Sequence, residues 1–148
     1  MFYAISGING DYEAYKRALK KLKFQNLDDI KEEDIMNEEA VISTLEGEDV
    51  LYVLGNIIGA GGGSMKILQD MMSRDNVIAV VGENEYKITQ ALKALNDHIQ
   101  STGEVPPQML VDKITSMLGE ELSGAVEEFL QLDDEEREDV IEYIDEIY

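Results

Sequence analysis

Three polar turns, each at the end of a short apolar run, hold most of the residues in this chain whose types could support chemistry. They are Gly7-Ile8-Asn9-Gly10, the glycine-rich stretch Gly55-Asn56-Ile57-Ile58-Gly59-Ala60-Gly61-Gly62-Gly63, and Gly82-Glu83-Asn84-Glu85. Oxygen donors from Asn9, Asp11, Glu83 and Glu85 could gather around Mg²⁺ or Ca²⁺, although acids on loops are more often simply solvated. The glycines of the middle turn could aim backbone N–H groups at an anion where a helix begins near Gly63. Against that, the turn lacks the lysine of a P-loop, and a net charge of −20 opposes a polyphosphate. The same turn offers one amide, Asn56, and no acid, base or nucleophile. There is no cysteine, and the one histidine, His98, falls in a polar helical stretch where a solvated side chain is the plainer reading. No catalytic residue, metal ligand or cofactor is therefore nominated from spacing alone.

The elements that must position these turns read as alternating strands and helices. Residues 50–54 form an apolar run with nothing charged inside it, as in a parallel-sheet strand buried on both faces. Residues 2–6 and 76–82 read as two more strands. Helices are expected at 11–23, with Tyr12, Tyr15, Leu19 and Leu22 on one face, and at 64–74, with Met65, Leu68 and Met72 inward and Ser64 or a neighbouring glycine as cap. A helix through about Gln100 should follow the third turn. Pro106 and Pro107 should open another, whose apolar face is Met109, Leu110, Ile114, Met117 and Leu118. Two acidic helices follow at 120–130 and 133–147, the last burying Val140, Ile141, Ile144 and Ile147. The seven methionines are read as core filler. Right-handed crossovers would make the strands parallel neighbours, so that all three turns open on one edge of the sheet. The expected fold is thus α/β, a three-stranded or slightly larger parallel sheet followed by a mostly helical part. It is one domain, an α/β body over 1–100 with an acidic helical insert at about 28–47, then a helical acidic part over 104–148.

Charge is distributed unevenly. Residues 28–49 carry −9, residues 119–148 carry −12, and the remaining 96 residues carry +1. Such a field repels nucleic acid and anionic membrane and attracts basic partners. The plainer reading is a pair of solubilising helices. The functional reading is a contact surface made of Glu32, Glu33, Asp34, Glu38 and Glu39 in the insert, with Asp133, Asp134, Glu135, Glu136, Glu138 and Asp139 in the last helix. The opening residues Met-Phe-Tyr-Ala-Ile-Ser have no basic n-region, and no apolar run reaches the ~20 residues of a membrane helix. A cytoplasmic protein is expected.

The three turns resemble the signature loops of the calcineurin-like metallophosphoesterases, and most of all those of the bacterial and phage serine/threonine phosphoprotein phosphatases. In that family the loops read Asp-x-His-Gly, Gly-Asp-x-x-Asp-Arg-Gly and Gly-Asn-His-Glu, and the spacing here matches each without a gap. The flanking Tyr52-Val53-Leu54, Ser64–Leu68 and Val77-Ile78 also look familial, as does the segment from Phe129 to Tyr143. The resemblance implies a two-metal hydrolase, but the departures fall on its working positions. The metal-binding aspartate and histidine of the first loop are Gly7 and Asn9. The bridging aspartate is Asn56, the aspartate that orients the general acid is Gly59, and the phosphate-clamping arginine is Ala60. The asparagine ligand of the third loop is Glu83, and the general-acid histidine is Asn84. Glycines 10, 55, 61 and 82 are kept, together with Glu85. The family's two further histidines come from a second half of the fold that is not expected here.

What the resemblance implies is half of a metallophosphatase fold, a truncated pseudophosphatase that is not an enzyme and works as a protein-binding or regulatory module. Its partner would be a protein with a basic surface. A homodimer is also compatible, because losing the second sheet would bare an apolar face. The alternative from another class is an acidic, phage-borne inhibitor that mimics nucleic acid in the groove of a nuclease or other basic protein. A weak residual phosphoesterase is the third reading.

Overall fold

A computed structural model describes residues 1–22, 24 and 49–147. The acidic insert at about 28–47, with Glu32, Glu33, Asp34, Glu38 and Glu39, lies outside the described residues. Three strands, β1 (Phe2–Ser6), β2 (Val50–Leu54) and β3 (Val77–Val80), pair in parallel in the order β1-β2-β3. Among the described residues, helices α1 (Tyr12–Lys21) and α2 (Ser64–Met72) cross between them, and α3 (Glu83–Thr102), α4 (Gln108–Leu118), α5 (Glu120–Leu130) and α6 (Asp134–Glu146) follow. The α/β class, the parallel sheet and the helical C-terminal part are as the apolar runs and glycine turns imply.

Strand order 1-2-3 with right-handed crossovers sends both crossing helices over the same face of the sheet. The burial pattern follows from this. Tyr3, Leu51 and Val77 lie in one row, Ile5, Val53 and Ala79 in the next, and this face packs against the helices. The core there includes Tyr15 and Leu19 of α1, Ile67 and Leu68 of α2, Ile88 and Leu92 of α3, Phe129 of α5 and Val140 of α6. Among the described residues the opposite face is only partly buried, contrary to the expectation that the strand over 50–54 is buried on both faces. Phe2 is 75% exposed and Leu54 41%, and Val50, Tyr52, Ile78 and Val80 are half-buried.

Other expectations shift for local reasons. Helix α3 starts at Glu83 itself, directly after Gly82, so the third turn is shorter than the sequence suggested; Gly103, in the left-handed region at φ 70°, ends the helix. In α4 the core side is Val111 with Ile114 and Leu118, Leu110 is half-buried, and Met109 and Met117 point outward at 83% and 80% exposure. Met1 is also exposed, and the buried methionines of α2 are Met65, as expected, and Met71, whereas Met72 is half-buried. The methionines are therefore not uniformly core filler. In α6, Val140 and Ile144 are buried, with Ile141 and Ile147 packed at the margin. None of the described helices is long and apolar enough to cross a membrane.

Candidate functional site

The parallel sheet brings the three turns to one edge, and backbone hydrogen bonds join them. Asn9 N donates to Asn56 O (2.9 Å), Gly10 N to Ile57 O (2.7 Å), Gly61 N to Asn9 O (2.9 Å) and Gly63 N to Gly10 O (2.7 Å). The third turn joins through side chains. Asn84 N donates to Asn56 Oδ1 (3.3 Å) and Asn84 Nδ2 donates to Ile58 O (2.9 Å). Asn9 and Asn56 both hold positive φ, 49° and 43°, a region that asparagine tolerates better than most residues. The asparagines in these turns therefore shape and link the backbone.

Glu85 is the residue whose role the sequence did not reveal. It is fully buried, and its Oε1 accepts the Ile57 N–H at 2.5 Å. Its Oε2 has no hydrogen-bond partner. Burial pushes its carboxyl above the ordinary range, although backbone N–H groups of the second turn, led by that of Ile57, pull the other way. The other acids offered for a cation site are engaged elsewhere. Asp11 caps α1 by accepting from Ala14 N (3.0 Å), and Glu83 pairs with Lys87 (2.9 Å). Among the described residues no three His, Asp or Glu side chains gather as a metal site.

The anion reading of the glycine turn meets a similar obstacle. Gly59 N donates to Ser64 Oγ (3.1 Å), and Gly61 and Gly63 donate as above. Gly63 is the N-cap of α2 and makes no side-chain cap. Instead the carboxylate of Glu128, reaching over from α5, accepts Met65 N at 3.3 Å. Burial pushes the Glu128 carboxyl up, against the pull of the Met65 and Ser64 N–H groups and of Lys66. A carboxylate of the chain itself thus occupies the helix N-terminus where an anion would sit.

A two-metal centre does not fit the residues present. Gly7, Asn9, Asn56, Ala60 and Glu83 are exposed and Asn84 is half-buried, but the only carboxylate among these, Glu83, is held by Lys87. Position 59 is closed to an acid in this backbone, because a Cβ there would lie 2.7 Å from backbone atoms of Asn9. His98 is half-buried on α3, 15 residues from its start, ~22 Å along the axis from the turns. No family model, curated protein or solved structure matches the chain.

The C-terminal acids divide into two groups. Asp133 and Glu136 form a capping box at the start of α6, with Glu136 N donating to Asp133 Oδ1 (2.8 Å) and Asp133 N to Glu136 Oε1 (3.2 Å). Asp134 pairs with Arg137, and Glu138 accepts from Gln100 Nε2 (2.7 Å). Glu135 and Asp139 make no such bonds and are exposed. Asp139 begins a row whose other members, Glu142 and Glu146, the candidate surface had left out: the three run i, i+3, i+7 along α6. That spacing is visible in the sequence.

Proposed function

We propose that this chain is a metallophosphatase-like domain without catalytic activity that works by binding a protein partner with a basic surface. The observation that carries the reading is which of the family's positions remain. A Cβ on Gly10 would lie 2.6 Å from Ser64 Oγ, and one on Gly82 would overlap the Asn56 backbone nitrogen. Glu85 anchors the second turn from below. The retained residues are thus ones that pack the turns together, while the positions that would grip cations or phosphate carry glycine, alanine or amides, with Glu83 as the one acid. The net charge of −20 supplies the preference for a basic partner over nucleic acid or an anionic membrane.

Nucleic-acid mimicry draws less support, since Asp133, Asp134, Glu136 and Glu138 already have partners within the chain. The test has two arms. Purified protein with Mn²⁺ should turn over p-nitrophenyl phosphate no faster than a buffer blank. Immobilised protein should retain basic proteins from extract of its host and release them gradually as salt rises. Mn²⁺-dependent turnover by clean protein overturns the reading. Capture of nucleases alone, abolished at moderate ionic strength, transfers it to mimicry.

A further inference from the structure

Helix α2 packs between α1 and α6. Tyr15 Oη of α1 donates to Asp70 Oδ2 of α2 (2.6 Å), and Gln69 Nε2 of α2 donates to Glu136 Oε2 of α6 (3.0 Å). Both α1 and α2 run against the strands, as crossovers of a parallel sheet must. α6 runs the same way. Its Glu136 lies beside Gln69 and, further along, Tyr143 and Glu146 share a groove of about 390 Å³ with Met72 and Ser73. The two bonds set Ala14, Gln69 and Glu136 at about one level, so Arg17 is level with Asp139, and Lys20 with Glu142. Charge divides across this surface. α1 carries four cations and one acid, net +3, and α6 carries eight acids and one cation, net −7. Arg17, Lys20 and Lys21 on one side and Asp139, Glu142 and Glu146 on the other are exposed, and none of the six makes a hydrogen bond or ion pair. Between the rows α2 presents Gln69, Met72 and Ser73, while Lys66 is turned over the Tyr12 ring, 5.8 Å from its centre.

We propose that the basic partner is a second copy of this chain, docked face to face about a two-fold axis parallel to α2, so that α1 of each copy lies on α6 of the other. The proposal rests on the protein-binding reading above and names the partner. A two-fold along α2 keeps every residue at its own level while exchanging the two sides. It sets Arg17 against the partner's Asp139 and Lys20 against the partner's Glu142, with Lys21 reaching toward the partner's Glu146, and the axis makes each pair twice. A two-fold across α2 would instead lay α1 on α1 and α6 on α6, like charge on like, which selects the first arrangement. The face is ~20 Å wide, two helix spacings, and ~15 Å long, the length of α1. That is less than the about 800 Å² per partner of a standard interface, so the dimer is weak and forms at high protein concentration. The charge of −20 on each copy opposes approach at low salt, and high salt screens the contact pairs. Association therefore peaks near ~0.1 M ionic strength, where the Debye length is ~10 Å.

Sedimentation equilibrium of the full chain, from micromolar to millimolar, should show monomer and dimer in exchange. Arg17→Glu/Lys20→Glu/Lys21→Glu and Asp139→Lys/Glu142→Lys/Glu146→Lys should each weaken the dimer about tenfold or more. An equimolar mixture of the two variants should restore it, because both contacts of the mixed pair are again opposite in sign. Glu135→Lys should tighten the dimer, since the same register sets Glu135 against the partner's Glu13, and both are exposed. Where a variant fails to fold by circular dichroism, the native chain is tested by carbodiimide coupling of isotope-light and isotope-heavy copies. A mixed-isotope amide from Lys20 or Lys21 to Glu142 is then expected. Monomer at every concentration, a dimer indifferent to both reversals, a mixture that stays monomeric, or coupling confined to single copies overturns the proposal. Metal-dependent phosphatase turnover would sink the proposed function without changing the sedimentation. A monomer that still retains basic proteins from extract would sink the dimer alone.

Discussion

The turns at the top of the sheet and the flank between β3 and α6 are both polar, and they handle their polar groups in opposite ways. At the turns nearly every donor and acceptor is taken by a neighbouring turn: Asn9 with Asn56, Gly10 with Ile57, Asn84 with Ile58, Glu85 with Ile57. At the flank the exposed carboxylates of Asp139, Glu142 and Glu146 make no hydrogen bond or ion pair. A polar group that is satisfied internally specifies the fold; one left open in a groove is available to another molecule. The difference moves attention from the region that resembles an active site to one that resembles nothing catalytic.

The strongest way to break this comparison is at the closest approach of two turns. Gly82→Ala should destabilise the protein by about 3 kcal/mol, because the added methyl meets the backbone of Asn56 and has no flexible side chain to displace. Gly7→Ala is the counterpart. Its φ of 72° strains any other residue, but nothing lies within 4 Å of the added atom, so a loss of about 1 kcal/mol is expected. Urea unfolding of the two variants measures the gap. Equal losses would mean that the turns are not packed as described.

Next in size is Glu85. Glu85→Ala leaves the buried Ile57 N–H unsatisfied and opens a void, at a cost of about 2–4 kcal/mol. Glu85→Gln sharpens the point through pH. Because burial raises the folded-state pKa, the native protein binds this proton more tightly than the unfolded chain does. The associated stability is complete below the unfolded value and is lost as pH climbs through the raised folded one. The amide cannot titrate, so Glu85→Gln should gain on the wild type as pH rises above the ordinary carboxyl range, measured by melting from pH 4 to 8. A flat difference would place Glu85 in solvent.

How much of this could be read in advance depends on how far apart the interacting groups lie in sequence. The strands, their parallel order and the convergence of the turns follow from apolar runs set between glycines, and these are local signals. The burial of Glu85 was not legible, because its partner is 28 residues away. The face that α4 presents was ambiguous because Met109, Leu110, Val111, Ile114, Met117 and Leu118 cover more of the helix than one contact can bury. The lesser burial of one face of the sheet was readable in principle, since two right-handed crossovers in strand order 1-2-3 share a side. The run Asp133-Asp134-Glu135-Glu136 contained its own answer as well. Acid-x-x-Glu ahead of an apolar stripe is a capping box, which makes two of its four acids structural.

That division among the acids supplies the two smallest predicted effects. Asp133→Ala removes the cap of α6 and should cost about 1 kcal/mol. Glu142→Gln, an exposed member of the groove row without a partner, should change stability by no more than about 0.5 kcal/mol. Its sign should be favourable, because the substitution thins the like charges that Asp139, Glu142 and Glu146 set three and four residues apart on one face. Raising salt should erase that gain by screening the same repulsion while leaving the Asp133→Ala loss largely intact, since a cap is a short-range bond. Melting both variants at low and high ionic strength separates an acid that holds the fold from one that the fold merely carries. If Glu142→Gln proves as costly as Asp133→Ala, the row has an intramolecular partner and the flank is no longer the open region.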